Sequence, residues 1–155
     1  MNILTFDVEE WFHIRFDDAF LNNIELLKSF EKRLDNSIEI ILDLLDRHNQ
    51  KATFFCLGWV AREYPHVIKE IDYRGHEIGC HSDSHKLLYN FTQEEFEQDL
   101  VTAITSIKSI TGKDVKFYRV IPKDWFQPKD LEWKKNITHM TPEELASKFN
   151  LEIKI

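Results

Sequence analysis

Short apolar runs, each emptying into polar residues and each followed by a stretch of helical period, constrain this chain most. Asn2 to Phe6 reads as a buried strand that ends at Asp7. From Asn23 to about Asn49, Ile24, Leu27, Leu34, Ile38, Ile41, Leu42 and Leu45 recur at helical spacing, with a break or helix start expected at Asn36-Ser37. Lys51 to Gly58 reads as a second strand. Val60 to Tyr73 reads as a broken helix with Pro65 in the first turn of its second part and Gly75 as a left-handed cap. Glu77 to Cys80 predicts a third strand. Thr92 and Glu95 then make a capping box for a helix whose buried stripe is Phe96, Leu100, Ala103, Ile104, Ile107 and Ile110, stopped by Gly112. Val115 to Val120 predicts a fourth strand. Strands alternating with helices predict an α/β fold with a parallel sheet and right-handed crossovers. Sites in such folds form at the C-terminal ends of strands, where Asp7, His81 and Arg119 all fall.

At 155 residues one domain is expected. A net charge of −7 argues against nucleic-acid or anionic-membrane partners, which select for Lys and Arg. No apolar run reaches the roughly 20 residues of a membrane span. The first residues run straight into a strand without a leader, so a cytoplasmic location is expected. Cys56 and Cys80 sit in strand-like settings without metal or redox spacing and read as buried thiols. His48, His66 and His76 read as structural.

The chemistry lies in two stretches. Asp7-Val8-Glu9-Glu10 puts three carboxylates after the first strand. If the chain stays extended past Asp7, alternation places Asp7 and Glu9 on one face, with Val8 and Glu10 on the other. Trp11, Phe12, Ile14, Phe16 and Phe20 follow as an aromatic loop, expected to pack on the mouth of the fold. His81-Ser82-Asp83-Ser84-His85 puts two imidazoles four residues apart, close enough on a compact loop to project together. Two histidines and a carboxylate are a common donor set for a zinc-type ion, with a further carboxylate left to act as base. A capping loop without metal is the competing reading of the same stretch.

Thr5-Phe6-Asp7, then Ala52-Thr53-Phe54-Phe55 before Gly58, then Gly75-His76-Glu77-Ile78-Gly79-Cys80-His81-Ser82-Asp83-Ser84-His85 resemble the polysaccharide deacetylase (NodB homology, carbohydrate esterase 4) family over about residues 2 to 119. The Asp-Val-Glu-Glu-Trp-Phe form is similar to a subgroup opening with D-V-E-D that is associated with exopolysaccharide synthesis. The resemblance implies a parallel-strand, distorted (β/α) barrel and a metal-dependent removal of acetyl from N-acetylated sugars. It implies Asp7 as catalytic base, His81 and His85 as metal ligands, and Arg119 as the arginine that orients the base. The family's usual metal carboxylate directly follows the base, where this chain has Val8. Glu9, one residue on, is the expected third ligand, ahead of Glu10. Zinc is the expected metal, with cobalt, nickel or iron compatible with the same donors.

The resemblance weakens after Arg119. Pro122 is displaced by one position from the family's R-x-P, and no downstream stretch matches the later aspartate-tryptophan or leucine-x-histidine motifs. Asp124-Trp125 follows Pro122 too closely, and His139 is a poor substitute for the catalytic acid. The expectation is therefore a partial domain over residues 1–120, its barrel incomplete at the C-terminus, with a divergent tail over residues 121–155 carrying a short helix from Thr141 to Phe149. Impaired turnover and self-association through an open sheet edge are expected consequences. The substrate expected is an N-acetylated amino-sugar oligo- or polysaccharide. Another amidohydrolase on the same fold and a non-enzymatic fragment remain the alternatives.

Overall fold

A computed structural model describes residues 3–13 and 23–119, with Ser147 alone beyond them. Three parallel strands form the sheet: β1 (Thr5–Val8), β2 (Thr53–Cys56) and β3 (Glu77–Cys80), in that order. Their register sets Phe6 beside Phe54 and Ile78, Asp7 beside Phe55 and Gly79, and Val8 beside Cys56 and Cys80. Phe6 and Phe54 stack at 5.1 Å between ring centres. Helices α1 (Ile24–Ser29) and α2 (Leu34–Arg47) connect β1 to β2, and α3 (Gly58–Glu63) and α4 (Pro65–Tyr73) connect β2 to β3. The long α5 (Gln93–Thr111) follows a 3₁₀ turn at Leu88–Asn90. This is the expected α/β arrangement, and the described residues make part of a barrel.

One contiguous core joins the pieces. Val8, Phe54, Cys56 and Cys80 from the sheet pack with Leu42, Val60, Ile68, Ile71, Leu100 and Ile107 from the helices. Burial holds both thiols, Cys56 and Cys80, well above their ordinary pKa, so they are protonated apolar filler. The cap of α5 is as expected: Thr92 Oγ1 accepts from the Glu95 amide, Glu95 reaches back to the Thr92 amide, and Gly112 closes the helix at φ +68°. Pro65 opens α4 and Gly75 ends its turn at φ +76°.

Three expectations shift. The break between α1 and α2 falls at Phe30–Arg33, not at Asn36-Ser37. Its cause is tertiary. The Glu10 carboxylate, 1% exposed, accepts from the amides of Arg33 and Leu34 and from the Tyr64 hydroxyl at 2.7 Å, so a residue far upstream starts α2. Gly58 does not close the second strand but opens α3. A Cβ there would lie 2.1 Å from Asp83 Oδ1 and 2.6 Å from Ala103 Cα, so only glycine lets α3 sit this close to α5 and the loop after β3. Among the described residues the fourth strand is reduced to one parallel bridge, Cys80 with Tyr118. The extended backbone there still takes two hydrogen bonds from and to Cys80, through Phe117 O and Arg119 N. The tail helix expected from Thr141 and the tail from Val120 onward lie outside the described stretches.

Glu10→Ala leaves two helix amides and a buried phenol without an acceptor. A loss of about 3 kcal/mol is expected in urea unfolding. A loss below about 1 kcal/mol would show that water replaces the carboxylate at no cost.

Candidate metal centre

The strand β1 runs one residue past Asp7, and the four residues of the acidic stretch go to different places. Val8 points into the core and Glu10 into the α2 anchor, while Asp7 and Glu9 face the C-terminal end of the sheet. The loop after β3 brings His81 and His85 to the same place. Donor atoms of Glu9, His81 and His85 all lie within 4.8 Å of one another, a grouping able to hold a metal ion. Glu10, the lesser alternative for the carboxylate ligand, has both oxygens committed to Arg33, Leu34 and Tyr64.

The donor atoms suit a cation. Glu9 Oε2 is buried and pairs with His85 Nε2 at 2.6 Å. A carboxylate oxygen and an imidazole nitrogen this close can turn their lone pairs to one shared cation. His81 Nδ1 lies 3.0 Å from the Arg119 carbonyl oxygen, which only accepts, so Nδ1 carries the hydrogen and Nε2 presents its lone pair to the site. A backbone carbonyl behind a ligating histidine is a common outer partner at metal sites.

Asp7 stands beside the grouping, its Oδ2 4.0 Å from His81 Nε2. Its other oxygen accepts from Arg119 Nη1 at 2.7 Å, while Arg119 Nη2 donates to Thr5 Oγ1. The guanidinium also lies 4.1 Å from the Phe55 ring centre, so one cation is fixed on three sides. The structure thus brings together Asp7, Glu9, His81, His85 and Arg119. His48 caps the C-terminus of α2, His66 pairs with Asp35 on the surface, and His76 accepts the Ala52 amide away from the site. His139 lies outside the described residues.

Sequence reasoning missed His13. It is 4% exposed, its Nδ1 accepts the Glu10 amide at 3.1 Å, and its ring lies 4.8 Å from Trp59 and 6.1 Å from His85. The available signal was its place four residues after Glu9, behind the aromatic pair Trp11-Phe12. Phe12 itself is fully buried against Phe30 and Trp59, which bears out packing at this part of the loop. Ile14, Phe16 and Phe20 fall outside the described residues.

Burial pushes the His13 imidazole down to about 4, helped by the neighbouring His85. Burial also lowers His81, against the opposing pull of Asp7 and Glu9. For Glu9, burial raises the carboxyl, but the imidazoles of His85, His81 and His13 outweigh it and hold the group below its usual value. Neutral imidazoles and an ionised carboxylate are the forms that bind metal. Between about pH 6.5 and 4 the unfolded chain therefore takes up protons at His13 that the folded chain refuses, so stability falls on acidification. The expected loss from His13 alone is about 3 kcal/mol. Denaturation of the metal-free chain at pH 7 and pH 4.5 measures it. A His13→Asn chain should show a flatter pH dependence, and an equal slope in both would contradict the assignment.

Parallel strands under helices, with carboxylates and imidazoles gathered at the strand ends, define an α/β protein with a polar strand-end site. The polysaccharide deacetylase family profile matches residues 11–122, and the chain belongs to that family. The match includes His81, His85 and Arg119 and begins just after the acidic stretch. A peptidoglycan-N-acetylglucosamine deacetylase of Bacillus cereus is 38% identical over 79 residues, 51% of this chain and 29% of that protein. Peptidoglycan-N-acetylmuramic acid deacetylase PdaA of Bacillus subtilis is 29% identical over 132 residues, 82% of this chain and 50% of that one. The chain thus spans half or less of the length of these relatives. Among solved structures, the Bc1960 peptidoglycan N-acetylglucosamine deacetylase superposes with a TM-score of 0.57 at 30% identity, over 76% of this chain and 44% of that chain. Among the described residues no helix is long and apolar enough to cross a membrane.

Proposed function

We propose that this chain is a metal-dependent deacetylase that removes N-acetyl groups from an amino-sugar oligo- or polysaccharide. The observation that carries the reading is the convergence of Glu9, His81 and His85 beside the Asp7–Arg119 pair. Glu9, His81 and His85 would hold the ion, most simply zinc. When bound, such an ion lowers the pKa of water and polarises an amide carbonyl.

Asp7 acts as the base. Arg119 takes up Oδ1, which leaves Oδ2, on the His81 side, to accept a proton from the attacking water. Arg119 keeps the carboxylate aimed through its bidentate reach to Asp7 and Thr5 and its seat on Phe55. His81 keeps its Nδ1–H tautomer through its bond to the Arg119 carbonyl, which leaves the Nε2 lone pair for the ion. His13 stays neutral beside His85 and closes the inner wall with Trp59. Among the described residues no imidazole apart from His13, His81 and His85 stands at the site, so protonation of the leaving amine is assigned to a group outside them.

Both named relatives act on peptidoglycan sugars, which makes peptidoglycan and chitooligosaccharides the substrates to try. Acetate release from either, abolished by chelation and restored by zinc, is the expected result. A zinc-loaded chain that releases no acetate from either polymer, but hydrolyses a small cyclic amide, would favour a different amidohydrolase.

A further inference from the structure

We propose that Asp99 is a positioning residue for the loop that carries His81 and His85. The inference rests on the metal-site reading above. Two residues of that loop, Ser82 at φ +76° and His85 at φ +61°, adopt the left-handed conformation without being glycine. A left-handed backbone is costly for any residue with a Cβ, and a short polar loop left alone would relax out of it. Relaxation would turn His85 away from Glu9. Something outside the loop holds it.

Asp99, on α5 and nine-tenths buried, accepts four hydrogen bonds from the three residues between the imidazoles. Its Oδ2 takes the Ser82 hydroxyl at 2.7 Å and the Asp83 amide at 2.8 Å. Its Oδ1 takes the Ser84 amide at 3.1 Å and the Ser84 hydroxyl at 2.7 Å. Four donors converging on two oxygens require a carboxylate. An amide would keep one acceptor oxygen and turn an NH₂ towards the other pair of donors. Its four hydrogen bonds all go to the loop.

A second restraint is weaker. Arg62 holds the Asp83 carboxylate through Nη1 at 2.6 Å and Nη2 at 2.9 Å, but the Arg62 side chain is 44% exposed and its pair is open to water. The amides of Gly58 and Trp59 fix the carbonyls of Ser82 and Asp83 from the other side. Asp99 touches none of the donor atoms themselves. It sets the distance and direction between His81 and His85 through the backbone that joins them.

The test is Asp99→Asn in the full chain, with zinc affinity measured by competition against a chromophoric chelator and thermal unfolding followed with and without zinc. The expected result is a 10- to 100-fold weaker affinity, the range for lost outer partners of metal ligands. Zinc should also raise the unfolding temperature of this variant less than that of the parent. Unchanged affinity with a lower unfolding temperature in both conditions would reduce Asp99 to a stabiliser of the fold and overturn the proposal. If Asp99→Asn does not fold, Ser84→Ala removes one hydroxyl tie to Oδ1. A several-fold weaker affinity is then expected, and no change overturns the proposal. A parent chain that binds no zinc would instead sink the metal reading and this inference with it.

Discussion

A His85→Ala chain is expected to lose zinc on dialysis that the parent chain retains at close to one ion per molecule. His85 supplies one of three converging donors, and its Nε2 sits 2.6 Å from the Glu9 oxygen that would share the ion. With Ala in its place the site keeps two donors, and Glu9 is left buried without its nearest partner. The expected fall in affinity is at least about 100-fold, beyond what the loss of an outer partner brings. Metal content after dialysis and direct titration both read it. His81→Ala should behave alike, whereas Glu10→Gln should keep the ion, since Glu10 serves the start of α2. Equal zinc in the parent and the His85→Ala chain would remove the site from consideration.

Asp7→Asn is expected to separate metal binding from chemistry. Asparagine can still accept from Arg119, and the Glu9–His81–His85 grouping is untouched. What it lacks is a carboxylate oxygen able to take a proton. Zinc content should match the parent, while kcat for acetate release should fall by about 10³-fold, within the range for a lost general base. KM should change little. A variant that loses zinc as well would make Asp7 a ligand, and one that keeps full kcat would end its role as base.

The gathering of these residues at the strand ends was legible in the sequence, because short strands and their C-terminal residues follow from local pattern. Alternation placed Asp7 and Glu9 together and turned Val8 and Glu10 away, and the structure has that arrangement. Caps were equally legible: Thr92, Glu95, Pro65, Gly75 and Gly112 act where their own chemistry requires. What stayed hidden depends on partners distant in sequence. Glu10 starts a helix more than twenty residues away, and His13 is buried by Trp59. Asp99 looked like any acid on a helix until α5 packed against the loop after β3. The misplaced helix break has the same origin, since Asn36-Ser37 carries the local signal while Glu10 decides the outcome.

The hydrogen bond from His81 to Arg119 has a consequence for how such a site tolerates drift. The guanidinium of Arg119 can be erased by a single base change, and with it the grip on Asp7. The carbonyl of the same residue cannot, because every amino acid brings one. Point mutation at position 119 is therefore expected to loosen Asp7, the proposed base, while sparing the imidazole's tautomer. Only an inserted or deleted residue between Gly112 and Arg119 would slide the carbonyl out of line and uncouple both at once. On the proposed roles, point mutation is expected to cost the base its aim before it costs the metal grouping its geometry.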